Sequence, residues 1–261
     1  MTKFFSEKIL DREMKAYTFT GDESRYLMDV LRSKPGETVI LCDGSATDYT
    51  LEILSLSKQE VQTKILSSER NNTEPPYKAV LYQALAKGDK MDLIIQKSVE
   101  LGVSRIVPVL CERSVVRIDI RDSEKKRERW QKIALEAARQ SGRGIVPEVS
   151  LPVRFSEALQ SSLTEADLVF IPWEGERSKP LSETLENFLA SDRFSRDIAQ
   201  SDALRPDIRF FIGPEGGFSP TEIELAQTCH IQTVSLGKRI LRTETAGLFV
   251  LSSLVYRLEA I

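Results

Sequence analysis

The sequence predicts an α/β protein in two parts, a small β-barrel-like module over residues 1–72 and a larger domain with a parallel sheet over residues 73–261. Three observations carry this. Short β-like runs separated by turns fill the first part; "ERNNTEPPY", polar and holding two adjacent prolines, reads as a linker; and from Tyr77 onward strand-like and helix-like stretches alternate. Near-continuous apolar strands followed by helices are the mark of a parallel sheet buried on both faces.

Taken in order, "ETVILCDGSATDYTLEIL" has the pattern of a hairpin, with Asp43-Gly44 as a tight turn between branched and apolar runs. "VQTKILSS" adds a further strand. One amphipathic helix is expected at about Asp22 to Ser33, ending before Pro35-Gly36. In the second part "KAVLYQAL" is a strand and "KMDLIIQKSVELG" a helix stopped by Gly102. "VSRIVPVL" is the next strand, followed by a helix around Trp130 to Gln140. "ADLVFIP", "DIRFFIG" and "QTVSLG" are three more apolar strands, and a last helix runs from about Thr243 to Leu258.

Composition is that of a globular chain, 41% apolar and 29% charged, with net charge -3. No apolar run has signal-peptide or membrane-spanning length, so a cytoplasmic protein is expected. Cys42, Cys111 and Cys229 lie far apart without C-x-x-C spacing, and neither a zinc site nor a disulfide framework is expected. Charge is unevenly spread: Arg105 to Arg143 holds eleven Lys and Arg against six acids, whereas Ser156 to Asp207 holds eleven acids against five bases. The first segment is a candidate anion-binding face; "RDSEKKRERWQKIALEAARQ" is equally well a solvated helix with Glu and Lys at i,i+4.

In an open parallel sheet, ligands bind beyond the carboxyl ends of the strands, which directs attention to the loops that leave them. Two stand out. "DIRFFIGPEGGFSPTE" passes through a Gly-Pro-Glu-Gly-Gly corner into an S-x-x-E capping box at Ser219 and Glu222. Pro220 takes the first helical position, and Phe218 and Ile223 are spaced as a hydrophobic staple. "SLGKRILRTETAGL" leaves its strand at Gly237 and enters the last helix near Thr243. Neither loop has G-x-G-x-x-G or G-K-[ST] spacing, which argues against a dehydrogenase or a P-loop NTPase. One sharp turn seldom requires Gly213, Gly216 and Gly217 together, so the expectation is a bulky ligand pressed against bare main chain.

"KGDKMDLIIQKSVELGVSRIVPV", "ERSVVR", "EAARQSGRGIVPEV", "IGPEGGFSPTEIELA" and "SLGKRILRTETAGL", in this order, resemble the RsmE family of the SPOUT methyltransferases. "YLMDVLRSKPGETVILCDGSATDY" is similar to that family's PUA-like RNA-binding domain, so the resemblance spans almost the whole chain. It implies a PUA-like β-barrel over 1–72 and, over 73–261, a SPOUT-type α/β domain with a deep trefoil knot, dimerising through that domain. The activity it implies is S-adenosylmethionine-dependent methylation of N3 of a uridine in the decoding region of bacterial 16S ribosomal RNA. Two departures from the family pattern are Tyr26, where relatives often carry histidine, and Arg139, where they often carry an acid. His230, the single histidine, matches no family motif and reads as structural.

The resemblance implies that the cofactor sits against Leu85, against Ile212, Gly213, Pro214, Glu215, Gly216 and Gly217, and against Leu236, Gly237, Ile240, Leu241, Arg242, Thr243 and Ala246. For RNA, Arg113, Arg117, Gln140 and Arg143 lie in motifs the family shares, Lys87 and Lys90 flank a strand-end loop, and Arg32 would add a phosphate contact. N3 of uridine keeps its proton at neutral pH, so positioning and electrostatics must favour the deprotonated imide. Arg242, just before a helix start, is the first choice to stabilise the anionic base, with pairing to Glu244 or Glu215 as the alternative. Either Glu215 or Glu244 could accept the proton, and sequence alone does not choose. A non-catalytic RNA-binding protein acting in ribosome assembly is the rival reading; it would use the basic segment but gives no reason for the paired strand-end loops.

Overall fold

The computed structural model describes residues 2–6, 8–11, 13–115, 120–191 and 205–259. They form two units, Met1–Glu74 with Ala138–Val146, and Pro75–Ala137 with Pro147–Ile261.

In the first unit β1 (Lys3–Phe5), β2 (Ala16–Thr20), β3 (Thr38–Cys42), β4 (Thr47–Leu56) and β5 (Glu60–Arg70) make one sheet in the order β1-β3-β4-β5-β2. Only β1 and β3 are parallel. Register shifts between β4 and β5 at Thr50/Leu51 and Ile53/Ser55 add local twist, which curls the sheet. Its inner face carries Phe4, Phe19, Leu41, Tyr49, Leu51, Ile53 and Val61, all buried. Along β4 the buried Tyr49, Leu51 and Ile53 alternate with less buried neighbours, the period of a strand with one covered face.

Two details differ from expectation. The hairpin loop spans residues 43–46 rather than two residues, because Asp43 Oδ1 accepts from the Ser45 amide (2.9 Å) and hydroxyl (2.7 Å) and folds the chain back on itself. The single helix expected at 22–33 is α1 (Gly21–Arg25) continued by a π-helical turn over Tyr26–Val30. In that turn the Leu31 amide reaches back to the Tyr26 carbonyl (3.0 Å), and Arg32, at φ 54°, ends the helical path before Pro35. Tyr26 stands edge-on to Phe4 at 6.1 Å, and Arg139 lies over the same ring at 5.8 Å with its guanidinium 3.8 Å from Glu23.

Arg143 corrects an expectation. It is only 3% exposed, with Nη2 2.6 Å and Nε 3.2 Å from the Glu74 carboxylate, which also accepts the Gly144 and Ile145 amides at 3.0 and 3.1 Å. A guanidinium closed into such a pair has no phosphate to reach. Arg143→Ala is expected to lower unfolding stability by about 2 kcal/mol, read from urea denaturation. That is less than the usual loss on breaking a buried pair, because two amides still satisfy Glu74.

The second unit contains β6 (Lys78–Ala84), α2 (Lys90–Glu100), β7 (Arg105–Leu110), α3 (Ile120–Ser141) up to Ala137, with its last turn in the first unit, β8 (Glu148–Val149), β9 (Val153–Arg154) and α4 (Phe155–Leu163). It continues with β10 (Leu168–Pro172), α5 (Leu181–Leu189), β11 (Asp207–Ile212), α6 (Pro220–Thr228), β12 (Gln232–Val234) and α7 (Thr243–Leu258). Every strand pair is parallel, in the order β12-β10-β11-β6-β7-β8, with β9 also on β7. The apolar runs are buried as expected: β6 is covered from Ala79 to Ala84, and Phe210, Phe211 and Ile212 of β11 are 0 to 2% exposed. α3 starts earlier than expected. Trp130, Ala134, Ala137 and Ala138 form its buried stripe, while Arg127–Glu124 is an exposed i,i+3 pair, the pattern of a helix with one solvated face.

Helix ends explain two further residues. At the end of α2 the Val103 amide bonds the Ser98 carbonyl (3.0 Å) and the Gly102 amide bonds Val99 (3.1 Å), a Schellman motif around Gly102. At the end of α6 the same pair of bonds runs from Ile231 to Ala226 (3.0 Å) and from His230 to Gln227 (2.9 Å), which puts His230 in the left-handed position at φ 59°. A side chain there is strained by about 1–2 kcal/mol. Glycine would lose some of that gain to its freer unfolded state. His230→Gly is therefore expected to stabilise by about 0.5–1 kcal/mol, measured as a raised urea midpoint.

Candidate functional site

The loops after β10, β11 and β12 come together in the second unit around a cleft of about 1190 Å³. The β11 loop is held at both ends. The Gly217 amide closes a turn onto the Pro214 carbonyl (2.9 Å). Beyond it, Ser219 Oγ accepts from the Glu222 amide (3.2 Å) while Glu222 Oε2 accepts from the Ser219 amide (2.8 Å), the capping box read in the sequence. Phe218 and Ile223 are buried in one apolar cluster. Glu222 Oε1 takes the Glu112 amide as well (2.8 Å), which fixes the loop after β7 and brings Arg113 Nη1 to the Gly216 carbonyl (3.2 Å).

The three glycines have three different reasons, and a ligand is not needed for all of them. A Cβ on Gly213 would stand 3.2 Å from the Phe218 ring, and one on Gly216 would stand 3.3 Å from Arg113 Cβ. Gly217 alone is left-handed, at φ 66°, and lines the cleft opposite Glu174, whose Oε1 would be 3.2 Å from an added Cβ. The expectation of one bulky ligand behind all three is thus narrowed to Gly217.

The opposite wall is the β12 loop. Arg242 is the N-cap of α7, its carbonyl accepting the Thr245 and Ala246 amides at 2.9 and 2.8 Å. Thr243 Oγ1 donates to the Gly213 carbonyl (2.7 Å) and so ties the two walls together. Among the described residues, no hydrogen bond joins the backbone of Lys238, Arg239, Ile240 or Leu241 to other protein groups, and Ile240 is 82% exposed. Open amides and carbonyls beside an exposed apolar surface are what a ring with polar edges requires.

A third wall was missed in the sequence. The loop over residues 173–180 is stitched to β12 by Trp173 N to Val234 O (3.0 Å), Ser235 N to Lys179 O (2.7 Å) and Leu181 N to Ser235 O (3.0 Å). Glu176 accepts the Ser178 hydroxyl (2.7 Å) and amide (2.8 Å), the Thr233 hydroxyl (2.9 Å) and the Lys179 amide (3.2 Å). The Ser178 bonds foremost hold its carboxyl at about 2. The signal was available: "WEGERSK" also follows an apolar strand, but it lacks the repeated glycines that single out the β11 loop.

Of the residues expected at the cofactor, Ile212 to Glu215 with Gly217 line one side, and Leu236, Gly237, Ile240 to Thr243 and Ala246 line the other. Leu85 and Gly216 do not line it. Leu85 is 1% exposed, with its amide on the Val109 carbonyl, and Gly216 faces Arg113. Of those expected at RNA, Arg32, Lys87, Arg113 and Gln140 are exposed, and Arg117 lies outside the described residues.

Lys90 lines the cleft. Its Nζ is 2.9 Å from Glu215 Oε1, also on the cleft, and 3.6 Å from Glu244 Oε2, which does not line it. The hydrogen bond to Glu215 raises the lysine's pKa above its ordinary value. Burial pushes the Glu215 carboxyl up, but Lys90 and the Lys87 amide (3.1 Å) outweigh it and hold it below the usual range. Arg242 is exposed on the cleft and, among the described residues, its side chain has no ion pair with Glu215 or Glu244.

The family model for the RNA methyltransferase domain matches residues 73–255, and that for the RNA methyltransferase PUA domain matches residues 19–66. A relative from Bacillus subtilis, "Ribosomal RNA small subunit methyltransferase E", is 36% identical over 99% of this chain and 98% of its own. The chain belongs to that family. Two solved methyltransferase structures are similar along their whole length. The Neisseria gonorrhoeae ribosomal RNA small subunit methyltransferase E, bound to S-adenosyl methionine, is 32% identical with TM-score 0.81 over 98% of this chain and 97% of that one. A Legionella pneumophila methyltransferase in complex with the same cofactor is 30% identical, also with TM-score 0.81 and the same coverage. Family membership makes this methyltransferase E-type chain an RNA methyltransferase with a PUA domain. Among its described residues no group of acids, cysteines and histidine could hold a metal, and no helix is long and apolar enough to cross a membrane.

Proposed function

We propose that this enzyme methylates N3 of a uridine in the decoding region of bacterial 16S ribosomal RNA, with its cofactor held in the cleft between the loops after β10, β11 and β12. The methyl donor is S-adenosylmethionine, which supplies an electrophilic methyl on a sulfonium; every other part of the chemistry falls to the chain. The observation that carries the cleft assignment is the unpaired backbone from Lys238 to Leu241 beside the exposed Ile240. A second is Gly217, left-handed and on the cleft, which puts no side chain into the facing wall at that position.

The protein must lower the cost of taking the proton from N3. Arg242 caps α7, so its guanidinium and the positive end of that helix act on the same space, and both favour an anionic uridine. Glu215 and Glu244 are the candidate proton acceptors: Glu215 lines the cleft and is engaged by Lys90 and the Lys87 amide, whereas Glu244 does not line it, and its Oε2 is buried with no hydrogen-bond donor among the described residues, 3.6 Å from Lys90 Nζ. RNA is proposed to lie on Arg32, Lys87, Arg113 and Gln140. The knotted topology, a homodimer, a cytoplasmic location and a division into a PUA-like RNA-binding domain over 1–72 and a catalytic domain over 73–261 complete this reading.

The test is calorimetric titration with S-adenosylhomocysteine and with ATP, followed by methylation of small subunits and of naked 16S RNA with the product base identified by mass spectrometry. Binding of S-adenosylhomocysteine with N3-methyluridine formed is expected; another methylated position would overturn the substrate assignment. For RNA, Arg113→Ala is expected to reduce the salt slope of binding by about one unit. Arg143→Ala should keep the wild-type slope, and a reduced slope there would place that arginine at the RNA after all.

A further inference from the structure

β6 is apolar and covered from Ala79 to its end, with one exception: Gln83, which is 0% exposed. Its Nε2 donates to the Ala84 carbonyl (3.0 Å) and to Thr243 Oγ1 (2.9 Å). The Thr243 hydroxyl has one proton, and it goes to the Gly213 carbonyl (2.7 Å). Thr243 must therefore accept from the glutamine, which sets the amide's orientation: nitrogen toward Thr243, oxygen away. Oε1 is buried and, among the described residues, has no hydrogen-bond donor. Across the contact, Gly247 of α7 presents no donor; a Cβ there would be 3.8 Å from that oxygen.

An unsatisfied buried amide oxygen destabilises a protein by about 1–3 kcal/mol, and a leucine of similar size would avoid this. Stability alone gives no reason for Gln83. The hydrogen-bond chain gives one. Gly213 ends one wall of the cleft and Thr243 begins the helix at the other, and the two are 30 residues apart in sequence. Gln83 enters from a third element, next to Ile212 in the sheet, and removes the rotational freedom of the hydroxyl that joins them.

We infer that Gln83 is a positioning residue, a buried latch that holds the Thr243–Gly213 junction so that the two walls of the cleft stand at the spacing the cofactor needs. This rests on the reading of the cleft as the cofactor site. The latch touches neither cofactor nor RNA and acts through Thr243. Its unsatisfied oxygen is the stability the fold gives up to have a donor at that point.

Gln83→Leu, Thr243→Val and the double variant test this by S-adenosylhomocysteine calorimetry, urea denaturation and steady-state kinetics. Gln83→Leu is expected to bind about tenfold more weakly, comparable to losing one net hydrogen bond, while its urea midpoint is no lower than wild type. KM for S-adenosylmethionine should rise while KM for RNA stays. Because both residues serve one junction, the double variant should lose no more than the larger single loss. Wild-type affinity in Gln83→Leu, additive losses in the double variant, or a fall in stability, including failure to fold, would each overturn the latch. The cleft itself is tested separately by Gly217→Val. If that variant binds as wild type, the cofactor site is elsewhere; if it loses binding while Gln83→Leu does not, the latch alone is wrong.

Discussion

Arg242→Ala is expected to lower single-turnover methylation at least about a hundredfold while leaving S-adenosylhomocysteine affinity nearly intact, the effect of losing one preorganised charge at a developing anion. The structure sharpens the reason. Arg242 is exposed on the cleft and makes no ion pair with Glu215 or Glu244, whose cation is Lys90, at 2.9 and 3.6 Å. An arginine that pairs with no carboxylate among the described residues keeps its full charge available to a reacting base. The α7 amides contribute to the same field and remain in the variant, which limits the loss to one of two contributions. The residual rate should climb with pH more steeply than wild type, since hydroxide must then assist a deprotonation that the guanidinium had favoured. Single-turnover rates from neutral to mildly alkaline pH, with saturating RNA, measure both effects. A wild-type rate, or a rate loss matched by an equal loss of cofactor affinity, would reassign Arg242 to a structural or cofactor-holding role.

Gly217→Val is expected to abolish S-adenosylhomocysteine binding, a loss of more than about a thousandfold, in a protein that still folds. Two effects act together. A branched side chain resists φ 66°, and its methyls would project into the cleft toward Glu174. The fold should survive because the capping box at Ser219 and Glu222 and the buried Phe218 hold the following helix independently of residue 217. Gly213 and Gly216 provide the contrast. Substitutions there press on Phe218 and Arg113, and their effects should appear in stability as well as in binding. Calorimetry paired with urea denaturation separates the cases, and unchanged affinity in Gly217→Val would remove the cleft assignment.

Much was legible locally. The apolar runs of β6, β10 and β11 marked strands covered on both faces, and they are the interior of the parallel sheet. The S-x-x-E box located the start of α6 to the residue, since capping is a contact between positions three apart and leaves its signature in the chain. The five ordered motifs pointed to the family that the relatives also indicate. Charge was not legible in the same way. Arg143 and Lys90 look, in one dimension, like any basic residues beside loops. One is buried against Glu74, 69 residues away, and the other is paired with Glu215, 125 residues away.

By itself, then, the sequence determined whatever depends on neighbours within a turn or a strand: element types, helix starts and stops, the two strand-end loops and the family motifs. Only the tertiary structure decided that Arg143 and Lys90 stand beside acids distant in sequence, why each glycine of the corner is a glycine, and that a third loop, over residues 173–180, completes the cleft. The physical reason is range. Periodicity and capping act over three or four positions and are written in local order. A charge or a buried amide instead takes its meaning from what the strand order brings beside it, as Gln83 does from Thr243, 160 residues on.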